Sequence, residues 1–191
     1  MLETSILEDQ VRECFGRVVY THKTHEKMAE ECSESLRRYK IWQIAISALT
    51  ASGALSVAIT NQSWLKIGTA LSSFLAVWIS GYMKGVDPGG TAQKHRDAAS
   101  ALWPIRESYL SLLTDVRRMS ISDEDATKIR DDLQKRLATI LKSAPQTNAK
   151  AYIKAQMALK CKEEYTFSAS EIDKFVPASL RKGSECRTPQ S

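Results

Sequence analysis

Charged side chains almost disappear between Lys40 and Lys84. Lys66 is the one charged residue in that interval, and the short polar break Asn61–Trp64 separates two apolar runs. An α-helix rises about 1.5 Å per residue, so about 20 residues cross a hydrocarbon layer of roughly 30 Å. The second run satisfies this length if Lys66 extends back to the interface. The pattern therefore predicts a transmembrane hairpin over 41–84, with spans at about 41–60 and 64–83.

The segment 1–40 has the spacing of an amphipathic helix. Its apolar and weakly polar positions recur in steps of three and four residues, at Leu7, Val11, Cys14, Val18, His25, Met28, Cys32 and Tyr39. No Pro or Gly lies between Arg17 and Lys40. We therefore expect this helix to continue unbroken into the first span.

A helical region is predicted over residues 91–180, after the hairpin and on the same side of the membrane as residues 1–40. The Gly- and Pro-rich stretch 85–90 ends the second span, and Thr91 is the expected cap of a helix over 92–118 that Pro104 kinks. Further helices are expected at 123–142 and 149–163, with a short one ending before Pro177. Residues 181–191 are polar and are expected to be a disordered tail. The predicted fold class is all-α, a two-helix transmembrane hairpin continuous with a helical bundle.

The distribution of basic residues predicts the orientation of the hairpin in the membrane. The net charge is +5, and basic residues flank the outer ends of the spans, whereas the connecting loop has only Lys66 nearby. The flanking residues are Arg37, Arg38, Lys40, Lys84, Lys94 and Arg96. The positive-inside rule then places both termini in the cytoplasm. The mixed signs of the helices argue against sequence-specific nucleic-acid binding, and no signal peptide or C-x-x-C pair is present, so free thiols are expected.

A soluble protein with a buried helical pair is the alternative to the hairpin. Gln43, Ser47, Thr50 and Ser52 make the first run only moderately apolar. The matching lengths, flanks and charge asymmetry of the two runs favour the membrane interpretation.

Both predicted spans carry a small residue at every fourth position. These stripes are Ala48, Ser52, Ser56 and Thr60 in the first span and Gly68, Ser72, Ala76 and Ser80 in the second. Such stripes let helices pack closely in lipid. They either hold the hairpin closed within one chain or pack between chains and line an aqueous path. No acidic residue lies at mid-membrane depth, which argues against an ion-coupled transporter.

Four residues of the predicted bundle are candidates for a ligand or trigger pocket: His22, His25, His95 and Arg106. The H-x-x-H spacing of the first two allows a metal pair, but no further ligand stands at motif spacing, and buried histidines are the plainer interpretation. A buried arginine needs a partner, which Glu26, Glu30, Glu107 or a nucleotide phosphate can provide. No phosphate-binding loop, nucleophile elbow or catalytic triad is recognisable. We therefore expect no enzyme activity, no cofactor and no metal site.

Several stretches together resemble a known family. They are Tyr20–Glu26, Lys94–Asp115, Ala144–Pro145, Ala151–Gln156 and Thr166–Asp173, with the two-helix hairpin between the first two. The chain resembles the SLATT family, the SMODS- and SLOG-associating two-transmembrane effectors, over about residues 15–181, in a longer branch with extra C-terminal helices. Pro104 departs from the family pattern, and no catalytic residue is carried over.

The resemblance implies an effector of a bacterial anti-phage or conflict system in the inner membrane. Its upstream sensor would be a nucleotide second-messenger synthase or a reverse transcriptase. The leading hypothesis is a homo-oligomer that permeabilises the bilayer and causes cell death or growth arrest. The alternative is a membrane anchor or adaptor that holds a partner enzyme at the inner face, and a soluble helical scaffold is a third.

Overall fold

The computed structural model describes residues 2–60 and 62–182, and within these ranges every regular element is helical. The elements are α1 (Leu2–Thr60), α2 (Ser63–Val86), α3 (Pro88–Arg117), α4 (Asp123–Ser143), α5 (Ala149–Lys160), α6 (Ala169–Phe175) and a 3-10 turn at Ala178–Leu180. The predicted all-α fold class is confirmed. The expected disordered tail falls outside the described residues from position 183 onward.

A single helix joins the two parts of the molecule. Helix α1 has 59 residues, which corresponds to about 90 Å at 1.5 Å per residue. The expectation that the first helix continues into the first span is confirmed. We refer to α1 from residue 41 together with α2 as the hairpin, and to the remaining helices with α1 before residue 41 as the bundle.

The two helices of the hairpin run antiparallel and are joined by hydroxyl and amide hydrogen bonds. The Gln43 side-chain amide donates to Ser80 Oγ at 3.1 Å, and Thr50 Oγ1 donates to Ser72 Oγ at 2.9 Å. Closer to the connecting loop, Gly53 lies against Thr69, and a methyl group on Gly53 would meet Thr69 Oγ1 at 2.5 Å. A close glycine contact together with interhelical hydrogen bonds is the usual means of pairing helices in lipid.

The outer surface of the hairpin is apolar and exposed. Helix α2 has no buried residue, and many large side chains of the two helices are more than half exposed, including Trp42, Leu49, Ile59, Phe74 and Val77. Within the described residues, one helix is long and apolar enough to cross a membrane, the stretch Ile6–Thr60, and none of its apolar window is buried. Helix α2 has 24 residues, which is long enough, but it is not apolar enough to qualify in the same way. A buried pair of helices in a soluble protein therefore does not fit.

A turn of one residue connects α2 to α3. Asp87 lies in the left-handed region at φ 40°, and its side chain accepts a hydrogen bond from the Gly90 N–H. The prediction that Thr91 caps this helix is wrong. Pro88 at the first helical position has the right φ and needs no hydrogen bond to its nitrogen, so the helix can begin immediately after Asp87.

Helix α3 packs back along α1 and forms the core of the bundle with it. The buried residues of this core come from α1, α3 and α4 and include Val11, Val18, Ile105, Tyr109, Leu112 and Leu133. Helix α3 remains helical through Pro104, which is exposed. This core lies at the end of the bundle away from the hairpin. The part of α1 between the core and the hairpin makes polar contacts instead.

The remaining helices follow their predicted caps. Ser122 accepts from the Asp125 N–H at 3.1 Å and Ser168 from the Glu171 N–H at 3.2 Å. Helix α5 ends at Lys160 and not at the expected position 163, because the chain turns at Glu163, which has a φ of 49°. The segment 161–168, here called the α5–α6 loop, then returns to α1.

Candidate functional site

Four consecutive residues of α1 are buried although all are polar: His22, Lys23, Thr24 and His25. On an isolated helix such a run would face several directions, so burial of all four requires neighbours on more than one side. Helix α3 covers one side and the α5–α6 loop covers another. This polar layer lies between the hydrophobic core and the hairpin.

Tyr165 of the α5–α6 loop connects two α1 side chains. Its hydroxyl donates to Glu26 Oε2 at 2.6 Å and lies 2.9 Å from His22 Nδ1. Since the phenol proton is used by the carboxylate, the imidazole N–H of His22 donates to the phenol oxygen. Burial, followed by this bond to Glu26, raises the pKa of Tyr165, and burial lowers the pKa of His22.

Lys23 carries the positive charge of this layer. Its side chain is 7% exposed, and its Nζ lies 2.8 Å from Glu26 Oε2 and 2.6 Å from Glu164 Oε2. Burial alone would lower the pKa of Lys23, but the hydrogen bonds with Glu164 and Glu26 outweigh it and the net pKa is raised. The ammonium is therefore charged, and its charge is balanced by one carboxylate on its own helix and one on the loop.

Arg106 is held mainly by aromatic rings. Its guanidinium carbon lies 4.6 Å from the Trp103 ring centroid and 4.7 Å from the Tyr165 ring centroid, which is the range of cation–π attraction. Of the three expected carboxylate partners, Glu107 approaches within 3.5 Å. Glu26 is bound instead to Lys23 and Tyr165, and Glu30 to Lys27. The two aromatic partners were not predicted.

His25 and His95 form a buried pair across the α1–α3 interface. Their Nδ1 atoms lie 2.9 Å apart, and the two residues are 2% and 0% exposed. Burial and the neighbouring rings of His95 and His22 lower the pKa of His25 to about 4, and burial lowers that of His95. Both rings are therefore neutral at pH 7, with one donating to the other.

A cavity of about 820 Å³ opens beside this layer, between α1 and α3. Its lining includes His22, Lys23, Glu26, Ser33, Arg96 and Trp103. Of the four predicted pocket residues, His22 lines this cavity. His25 and His95 are not among its lining residues, and Arg106 lines a second cavity of about 330 Å³ together with Tyr165. The four residues predicted to share one pocket therefore lie in three separate places: the first cavity, the histidine pair and the second cavity.

The H-x-x-H spacing does not assemble a metal site in the described part of the chain. His22 Nδ1 faces Tyr165, and His25 Nδ1 faces His95. No cluster of three or more His, Cys, Asp or Glu residues there is arranged to hold a metal ion.

The two predicted small-residue stripes face different surroundings. In α2, Ser72 and Ser80 contact α1 through the hydrogen bonds given above. In α1, the residues Ala48, Ser52 and Thr60 are exposed, and Ser56 is half-buried. The hydroxyls of Ser52, Ser56 and Thr60 donate to carbonyls four residues earlier in their own helix. The α1 stripe is therefore available to a further partner, with its polar groups already satisfied.

Sequence reasoning missed the residues that organise the polar layer. Lys23 and Trp103 stand within stretches that carry the family resemblance, but neither has a motif that assigns it a partner. Tyr165 and Glu164 contact residues about 140 positions earlier in the chain. Helical periodicity reports only on neighbours within a few turns, so it gives no signal for such contacts.

The structure defines an all-α protein in which an exposed apolar hairpin extends from a helical bundle with its own core. The family model described as SMODS and SLOG-associating 2TM effector domain family 4 matches residues 7–171. The chain belongs to this SLATT family, whose description names two transmembrane helices and an association with SMODS and SLOG domains. No curated protein and no solved structure matches the chain.

Proposed function

We propose that this protein is an effector of a bacterial anti-phage system that oligomerises in the inner membrane and makes it permeable. An upstream sensor, such as a nucleotide second-messenger synthase or a reverse transcriptase, would trigger it, and loss of the membrane barrier would kill or arrest the infected cell. The family description supports the effector role. The exposed apolar surface of the hairpin supports insertion in a bilayer.

The orientation follows from basic residues at one end of the hairpin. Arg37, Arg38, Lys40 and Lys84 are exposed, and the ring contact between Tyr39 and Tyr82 at 6.1 Å puts the corresponding ends of α1 and α2 at one level. Concentration of positive charge at this end supports a cytoplasmic bundle, with both termini inside the cell. The basic residues would then lie beside anionic lipid headgroups.

The single observation that carries oligomerisation is the α1 stripe at Ala48, Ser52 and Thr60. Large apolar side chains cover most of the outer surface of the hairpin, whereas this stripe offers small residues that α2 does not use. In lipid, helices associate through close packing of small residues and through hydroxyl hydrogen bonds. Two or more chains packed along this stripe would bring rows of hydroxyls together, which gives a weakly polar path for ions and water.

The test is controlled expression with a membrane-potential dye. We expect the wild type to depolarise the membrane and Ser52→Leu to abolish depolarisation while the protein remains in carbonate-washed membranes. Ala54→Leu is the matched control, because Ala54 is exposed and lies two positions further along α1, roughly on the opposite side of the helix. Equal depolarisation by Ser52→Leu and wild type would rule out the stripe as the working interface.

A membrane anchor or adaptor is the second candidate function. Apolar side chains on the α5 and α6 side of the bundle support it, since Ile153, Met157, Phe167, Ile172 and Phe175 are each at least 46% exposed. Such a surface suits a partner protein at the inner face of the membrane. This function predicts a stable complex and no depolarisation, so the same dye experiment separates it from permeabilisation.

A further inference from the structure

Lys23 is paired in part by a carboxylate that belongs to a loop. We propose that an organic anion with a planar ring binds the cavity between α1 and α3, displaces Glu164 from Lys23 and so loosens the attachment of the α5–α6 loop to α1. The site and its ligand class go beyond the permeabilising role proposed above, and binding can be measured without it.

The two carboxylates at Lys23 differ in their freedom to leave. Glu26 is three residues further along the same helix and is also fixed by the Tyr165 hydroxyl at 2.6 Å. Glu164 stands in the α5–α6 loop, and its side chain is 30% exposed compared with 7% for Lys23. When Glu164 leaves, Lys23 keeps Glu26, but its almost buried ammonium loses one charged hydrogen-bond partner, which costs free energy. An anion that takes the place of Glu164 restores that partner and so makes it easier for the loop to leave.

The balance of charges around the cavity also supports an anionic ligand. Two cations, Lys23 and Arg96, and two carboxylates, Glu26 and Glu30, line it, while Lys27 pairs with Glu30 and Glu164 pairs with Lys23. With the loop in place these six charges balance. When Glu164 withdraws, one positive charge is in excess, which a single anionic group on a ligand neutralises.

The size and walls of the cavity define the rest of the ligand. Its volume of about 820 Å³ exceeds what a small inorganic anion requires, and much of its wall is apolar, with Ala29, Ala99 and the indole of Trp103. Trp103 is 45% exposed although Arg106 and His22 pack against its ring, so part of it is open for a planar ring to contact. Arg96 donates to Ser33 Oγ at 2.6 Å and lines the same cavity, so it provides a second cation in the cavity.

Binding of an anion in the cavity would affect how the α5–α6 loop is attached to the bundle. Glu164 and Tyr165 hold the loop against α1, and Tyr165 also stacks on Arg106 of α3. Loss of the bond between Glu164 and Lys23 removes one of these attachments. An anion in the cavity is thereby coupled to the position of the loop and of the helix α6 that follows it.

The experiment uses the full chain in detergent micelles, with AMP as the probe because it joins one phosphate to one planar ring. Calorimetric titration should show binding to wild type, and Glu164→Gln should bind AMP about tenfold more tightly because the competing carboxylate is gone. Glu163→Gln is the matched control. It makes the same change of charge one residue earlier, at a side chain with no recorded ion pair among the described residues.

Three further measurements complete the test. Lys23→Met should lose AMP binding, and adenosine and inorganic phosphate should each bind much more weakly than AMP. Hydrogen exchange of the amides in 161–168 should become faster when AMP is bound to wild type. A gain of affinity in Glu164→Gln cannot arise from misfolding, so the proposal stays testable even if Lys23→Met fails to fold.

Several results would overturn it. Absence of AMP binding to both wild type and Glu164→Gln would do so, as would equal affinities of Glu164→Gln and Glu163→Gln. If adenosine bound as tightly as AMP, the anionic group would contribute nothing to binding. If inorganic phosphate bound as tightly as AMP, the planar ring would contribute nothing. Unchanged exchange in 161–168 at saturating AMP would mean that binding does not loosen the loop. None of these results depends on whether the protein depolarises a membrane.

Discussion

The Nδ1 atoms of His25 and His95 lie 2.9 Å apart across the α1–α3 interface. A separation of this size fits one shared proton and excludes a second, because two N–H groups would then point at each other. The pair therefore joins the helices while neutral and opposes their contact when both rings are charged. This geometry makes the bundle sensitive to mild acid.

We predict that the bundle loses stability as the pH falls below about 6.5. The folded-state pKa of His25 is about 4, against an ordinary value of 6.5, so the unfolded chain takes up a proton first and acid favours unfolding. The loss begins near pH 6.5 and is complete near pH 4, and amounts to at most about 3 kcal/mol for this residue. Thermal unfolding followed by circular dichroism at pH 7.5, 6.5 and 5.5 measures it.

The control for this prediction is a variant without the pair, His25→Gln combined with His95→Gln. We expect it to be less stable at pH 7.5 but to show a weaker dependence on pH between 6.5 and 5.5, with the remainder due to His22. Glu26 and Glu164 have lowered pKa values, so their contribution is present above pH 4.5 and is lost only below it. A wild-type melting temperature that does not change between pH 7.5 and 5.5 would contradict the prediction.

A second prediction concerns the hydroxyl of Tyr165. Tyr165→Phe removes the hydrogen bonds to Glu26 and His22 while it keeps the ring that stacks on Arg106. Because Glu26 is charged, we expect a loss of about 1–3 kcal/mol in the free energy of unfolding. Chemical denaturation in detergent measures this loss.

Tyr152→Phe is the matched control for Tyr165→Phe. Its ring is 49% exposed and stacks on Tyr20 at 5.9 Å, and no hydrogen bond of its hydroxyl is recorded in the described residues. We expect a change of less than about 0.5 kcal/mol. If the two variants lose equal stability, the hydrogen bonds of Tyr165 contribute nothing specific.

The helices were predictable because their signals are local. The apolar positions of α1, the cap at Ser122 and the cap at Ser168 lie within a few residues of the structure they determine. The start of α3 was misplaced at Thr91 because two local signals competed, and Pro88 at the first turn with Asp87 as its cap prevailed. The pattern of charges likewise predicted two helices over about 41–60 and 64–83, and the structure has one helix that ends at Thr60 and another at Ser63–Val86.

The polar layer was only partly predictable. The presence of His22, His25 and His95 on inward-facing positions follows from periodicity, and all three are buried. Their partners do not follow from it, since Tyr165 reaches α1 from a loop after five helices. The same distance in sequence explains why Tyr165 was not expected beside Arg106, which has Glu107 as its carboxylate partner and also contacts Trp103.

A third prediction tests the turn between hairpin and bundle. Asp87→Ala removes the cap of α3 and leaves a residue with a Cβ at φ 40° and no side-chain acceptor. We expect a loss of about 1–2 kcal/mol in stability, of which the cap accounts for about half. Asp87→Asn keeps both the acceptor and the tolerance of positive φ, so it should remain within about 0.5 kcal/mol of wild type. Equal losses for the two variants would show that the turn does not depend on this side chain.

A fourth prediction tests the close contact inside the hairpin. A side chain at position 53 would collide with Thr69 Oγ1, whereas nothing lies within 4 Å of the place where a Cβ on Gly68 would stand. We therefore expect Gly53→Val to separate α1 from α2 at a cost of about 1–3 kcal/mol, and Gly68→Val to leave them paired. Disulfide formation between Gln43→Cys and Ser80→Cys, whose native side chains are hydrogen-bonded at 3.1 Å, reports on pairing in a background without other cysteines. Undiminished cross-linking in Gly53→Val would mean that the hairpin holds together without this contact, and the antiparallel pairing would then rest on other contacts such as Thr50 with Ser72 and Tyr39 with Tyr82.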